Sequence, residues 1–162
     1  MNDTEELVKS NVMSEWLPCE TGKHQDHVIA HVVGATALGY FEFDQVAHIL
    51  LDIGFIWTIF ADGEMGLVPQ SLSISELELE AAAKAALTFD IQRAHDGQTP
   101  SVGSLLIAAP DGCLIEEVRF YSASDRRRIS VRGEESGIEV DSSIDTGLIT
   151  IHPIPKGGCD SP

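Results

Sequence analysis

Three histidines crowd one short stretch of the chain, His24, His27 and His31, and the last two stand four residues apart. On a helix that interval sets two imidazoles on one face about 6 Å apart, a spacing suited to a shared divalent transition metal ion. On a strand the same two side chains point to one side but lie roughly 13 Å apart, too far for a single ion. His48 and Asp52 repeat the interval downstream, and would add ligands if folding carried them to His27 and His31. A hydrolytic zinc helix carries Glu directly after its first histidine, whereas Val28 follows His27. The favoured reading is therefore surface and satisfied core histidines with no cofactor. The alternative is a metal-dependent hydrolase or metal-binding protein using His27, His31, His48 and Asp52, with His24 as a further ligand.

Other chemistries leave weaker traces. No Gly-x-Ser-x-Gly elbow surrounds any serine, no Lys-Ser or Lys-Thr follows the glycines at 34 and 39, and no Gly-x-Gly-x-x-Gly occurs. Cys19, Cys113 and Cys159 are odd in number and widely spaced, which argues against a disulfide framework and a zinc ribbon, and for a reducing compartment. Asn2 to Glu6 is acidic where a secretory leader carries positive charge, so a cytoplasmic location is expected. The longest run free of charge or histidine, Val32 to Phe41, is half of the ~20 residues a membrane helix needs.

Charge is the chain's plainest feature: 26 Asp and Glu against 10 Lys and Arg leave −16 over 162 residues. Such a surface repels phosphate backbones and anionic lipid and favours a basic protein partner. With 43% hydrophobic and 22% charged residues, the acidity sits on a composition that folds. Half of the cations fall in one late cluster, Arg119, Arg126, Arg127, Arg128 and Arg132, expected to pair with Glu116, Glu117, Glu134 and Glu135 across neighbouring strands.

The elements that must position these groups read as follows. Asp3 caps a first helix over about 4–16, and a loop leads to a strand over 27–43, chosen for β-branched Val28, Ile29, Val32 and Val33. Asp44 caps a short amphipathic helix over 45–53, with Val46, Ile49, Leu50 and Ile53 as its apolar stripe and Gly54 as its stop. Phe55–Ala61, Asp62-Gly63 and Glu64–Val68 form a hairpin. Its alternation leaves both faces apolar, so the hairpin is central in its sheet or covered on both sides. Ser75 and Glu78 open a long helix over 76–95, closed by Asp96-Gly97. From residue 105 the period becomes that of strands in a meander: 105–109, 113–121, 128–132, 137–140 and 148–152.

The expected fold is a single α+β domain over 1–153, with three helices and a mixed or antiparallel sheet, followed by a flexible tail over 154–162. Its expected role is that of an acidic soluble binding or regulatory module docking to a basic protein, not a nucleic acid or a membrane. A candidate interaction site is Tyr40, Phe41, Glu42, Asp44, Asp62 and Glu64, an apolar groove framed by acids. A further alternative is a homo-oligomeric structural protein that buries the aromatic hairpin between copies.

Overall fold

Among the described residues, antiparallel strands make up the larger part of the regular structure. A computed structural model describes residues 16–53, 56–60, 66–68 and 78–155. Along these, the elements run β1 (Leu17–Cys19), α1 (Lys23–Val32), β2 (Ala37–Phe43), β3 (Val46–Leu51), β4 (Ile56–Phe60), β5 (Gly66–Val68), α2 (Ala81–His95), β6 (Ile107–Ala108), β7 (Ile115–Ala123), β8 (Arg126–Gly133), β9 (Gly137–Ser143) and β10 (Ile149–Ile154). Strands pair antiparallel into two five-stranded sheets, ordered β1-β7-β8-β9-β10 and β5-β4-β3-β2-β6.

The sheets face each other over one core. Ala47, Ile49, Trp57 and Ile59 of the second sheet meet Phe120, Ile129, Val131, Ile138 and Val140 of the first, and Val28 and Val32 of α1 enter the same cluster. The other face of the second sheet, Phe41, Leu50 and Ile56, is covered by Leu87 and Ala94 of α2 and by Leu106. β4 is thus flanked by β3 and β5 and covered on both faces, as its doubly apolar pattern requires.

This arrangement corrects the three-helix α+β reading. Two helices occur among the described residues, and the architecture is a predominantly β sandwich of two antiparallel sheets with a helix on one outer face. All of the expected helix at 4–16 except Trp16 lies outside the described residues, as do the Asp62-Gly63 turn and Ser75.

Two elements change type. The expected helix at 45–53 is the strand β3, joined to β2 by a two-residue turn in which Asp44 and Gln45 both take left-handed φ, 55° and 61°. Asp is among the few residues that adopt this backbone readily. The sequence Val-Ala-His-Ile-Leu-Leu fits a helical stripe only because a strand buried on both faces is apolar nearly throughout.

Conversely, residues 27–32 of the expected strand are helical. Val28 and Val32, four apart, bury together in the core, and that burial outweighs the strand preference of their β-branched side chains. The helix starts at Gly22, whose N–H donates to Gln25 Oε1 at 2.9 Å and whose carbonyl accepts from Asp26 N at 2.9 Å. It stops where Gly34, at φ +95°, turns the chain and donates its N–H to Ile115 O. Residues 37–43 do form a strand, β2.

α2 begins at Ala81, later than the expected 76, and ends at His95 as expected, with Gly97 at φ +79°. The expected strands at 113–121, 128–132, 137–140 and 148–152 are β7 to β10, whereas the one at 105–109 leaves the meander, since only Ile107–Ala108 is strand and it pairs with β2 in the other sheet. β10 continues to Ile154, which pairs with Gly137.

The loop after α2 is pinned from beneath. Asp90, 2% exposed, accepts from Ser101 N at 2.9 Å and from Ser101 Oγ at 2.5 Å. These donors, led by the Ser101 hydroxyl with Ser104 next, hold the Asp90 carboxyl below its usual range. Asp90→Ala is therefore expected to cost about 2 kcal/mol at neutral pH, measured by denaturant unfolding, and to speed amide exchange at Ser101. Because the folded pKa is depressed, this contribution is complete above the ordinary carboxylate pKa and is lost as pH falls below about 4.

Candidate functional site

The outward face of the first sheet carries the arginine cluster, and strand register decides its partners. β8 points Ile129 and Val131 into the core, so Arg126, Arg128 and Arg132 alternate to the outside. Arg128 stands directly opposite Asp141 on β9 and binds it with both ends of the fork, Nε–Oδ1 2.7 Å and Nη2–Oδ2 3.0 Å. Glu139 lies 3.5 Å from the same guanidinium and 3.1 Å from His152 Nε2, while Arg126 reaches Asp141 at 3.8 Å. The Trp16 ring covers the Arg128 guanidinium at 4.2 Å. Hydrogen bonding to Asp141 raises the Arg128 pKa further, so the group is a permanent cation.

Sequence proximity had suggested Glu116, Glu117, Glu134 and Glu135 as partners. Glu117 does pair with Arg119 along its own strand, but the acids that hold Arg128 are Asp141 and Glu139. Counting outward from the Arg132 and Gly137 pair beside the Gly133–Ser136 turn puts Asp141 opposite Arg128, a signal available once β8 and β9 are read as one hairpin.

The histidines separate into two settings. His27 and His31 project from the exposed side of α1 with their Nε2 atoms 3.3 Å apart. His48 lies elsewhere, 3% exposed, stacked on Phe41 at 4.7 Å and with Nδ1 3.1 Å from Thr58 Oγ1. Burial pushes its pKa down to about 4, so the ring is neutral at physiological pH. Asp52 accepts from Thr36 N at 2.9 Å and fixes the start of β2. The four-residue centre read from His27, His31, His48 and Asp52 is therefore not assembled, and among the described residues no three His, Cys, Asp or Glu gather as a metal site.

Of the candidate interaction residues, Tyr40 and Phe41 are buried on opposite faces of β2, which corrects the groove drawn from them. Glu42 and Asp44 are exposed at the β2–β3 turn. Asp62 and Glu64 lie outside the described residues. Trp57 and Ile59 of the aromatic hairpin are interior to the sandwich.

A groove of about 450 Å³ opens where β1 ends and β7 continues, lined by Pro18, Cys19, Glu20, Thr21, Val118, Arg119 and Phe120. No imidazole stands among these residues to activate the Cys19 thiol. Burial pushes the Cys113 thiol up to about 11, the behaviour of an inert packing cysteine. Among the described residues, no helix is long and apolar enough to cross a membrane.

Compared with known family models, curated proteins and solved structures, the chain matches none. Its functional reading rests on its own geometry and charge.

One feature of that charge escaped the sequence. The β7–β8 and β9–β10 turns are tied by the bond from Ile144 N to Asp125 O at 2.8 Å, and Asp125 lies against Asp145. A hydrogen bond from one carboxyl to the other, reinforced by repulsion, raises the Asp145 pKa above its usual range. Residues 20 positions apart in sequence meet only through two turns at one end of the sheet.

Proposed function

We propose that this protein is an acidic binding or regulatory module that docks on a basic protein surface. The observation that carries the reading is the net charge of −16, which is dense enough that the turns bearing Asp125 and Asp145 set two carboxyl groups side by side. Arg128, by contrast, is engaged by Asp141 and Glu139. A basic partner would relieve the repulsion, and complementary charge speeds and orients encounter more than it adds affinity.

The test is capture with the full chain at low salt, followed by association kinetics with the purified partner. The association rate is expected to fall steeply as salt passes ~0.1 M, where screening shortens to about 10 Å. Asp145→Asn with Asp125→Asn should slow association several-fold, and Glu42→Gln with Asp44→Asn reports whether the β2–β3 turn shares the contact. Asn is chosen at position 44 because it tolerates the φ of 55° there. A salt-insensitive partner, or none across the capture, overturns the proposal.

A further inference from the structure

The imidazole pair on α1 stands apart from the docking proposal. Its spacing is set by a well-anchored helix: Val28 and Val32 fasten one side of α1 into the core, and the Gly22–Gln25 and Gly34–Ile115 bonds hold its two ends. His27 and His31 project from the opposite, exposed side. Neither side chain has to bury charge or displace packing to accept a ligand.

We propose that His27 and His31 form a two-imidazole chelate for a late first-row divalent cation, with copper(II) bound most tightly. The Nε2 atoms are 3.3 Å apart and the rings are inclined at 84°. An ion about 2.1 Å from each nitrogen closes an N–metal–N angle of about 100°, within reach of both square-planar and tetrahedral geometry. Modest ring rotations turn both lone pairs onto that point, with water completing the shell. His31 sits in the last turn of α1, where the carbonyl ends of the helix favour a cation. Lys23, one turn before His27, opposes the ion, but its flexible arm can turn its ammonium into water. Imidazole nitrogen ranks copper above nickel and zinc, and two exposed ligands from one helix impose too little geometry to reverse that order.

The chelate is a binding site rather than a hydrolytic centre, because His48 and Asp52, the groups that would have enlarged it, are committed to Thr58 and Thr36. A third ligand supplied by another molecule would convert it into a bridging site, and the stoichiometry of binding reads that directly.

The experiment is titration of the full, untagged chain with copper(II) sulfate, followed by calorimetry and by electron paramagnetic resonance. The expected result is an ion whose spectrum shows two imidazole nitrogens. His27→Gln and His31→Gln should each weaken binding at least about tenfold, since either loss turns a chelate into a single ligand. The double variant should be no weaker than a single by more than about threefold, because the two ligands act as a unit. Both positions are exposed, so circular dichroism should show the fold unchanged. His95→Gln, an exposed histidine at the end of α2, should bind as the parent does. Copper affinity that survives in both single variants, or falls equally in His95→Gln, overturns the proposal.

Discussion

Arg128→Met is expected to destabilise the protein by about 2–4 kcal/mol, read from denaturant unfolding at pH 7, and to lower the melting temperature by roughly 5–15 °C. The loss comes less from the ion pair itself than from what remains without it. Asp141 keeps only 6% of its side chain exposed, and the two direct bonds that satisfy its carboxylate both come from Arg128. Arg126, at 3.8 Å and largely in solvent, is a poor replacement. The figure sits at the lower part of the range for a broken buried pair because the Arg128 side chain is itself 21% exposed. Removing both charges tests this account. Arg128→Met with Asp141→Leu should recover at least about half of the single-variant loss, since an apolar pair of similar volume carries no desolvation cost. A single-variant effect below about 0.5 kcal/mol, or a double variant as unstable as the sum of its parts, would show that Asp141 does not depend on Arg128.

That network also marks where the sequence stops being legible. The strands from β7 to β10 could be read in advance from their period, and the chain's entry into them is marked at Pro110-Asp111-Gly112, where Gly112 takes φ +79°. The end of α2 was equally plain at Asp96-Gly97. Partner choice within the sheet was not, because it depends on register, and register is a property of two strands at once. β3 misled for a different reason: a strand covered on both faces loses its alternation, and the remaining apolar run satisfies a helical template as well. α1 misled because its β-branched residues favour a strand locally, while the core rewards the four-residue spacing of Val28 and Val32.

These two exchanges of element type decide the fate of the histidines. Reading residues 27–32 as strand set His27 and His31 too far apart for one ion, and the helix brings their ring nitrogens to 3.3 Å. Reading 45–53 as a surface helix put His48 in solvent, and the strand buries it. The candidate metal site thus lost two members and kept two through the same error made in opposite directions. The Asp125 and Asp145 contact lay beyond any local pattern, since it exists only where separate turns meet.

Between pH 6.5 and 4 the protein is expected to lose roughly 3 kcal/mol of stability through His48 alone. The ring is buried among Phe41 and Thr58, and desolvation lowers its pKa from 6.5 to about 4. In the unfolded chain the same imidazole returns to its ordinary value, so across this window the unfolded state holds one more proton than the folded state. Stability therefore rises with pH, complete above 6.5 and fully lost only below 4, at about 1.4 kcal/mol per pH unit between. His48→Gln removes the titrating group and should flatten the slope by that amount, whatever it does to stability at pH 7.5 through the altered contact with Thr58. His152→Gln is the comparison: its imidazole is partly exposed beside Glu139, and its removal should leave the His48 slope in place. Unfolding free energies at half-unit steps from pH 4 to 8 separate the two, because a slope as steep in His48→Gln as in the parent assigns the acid sensitivity to other groups and overturns the account of His48.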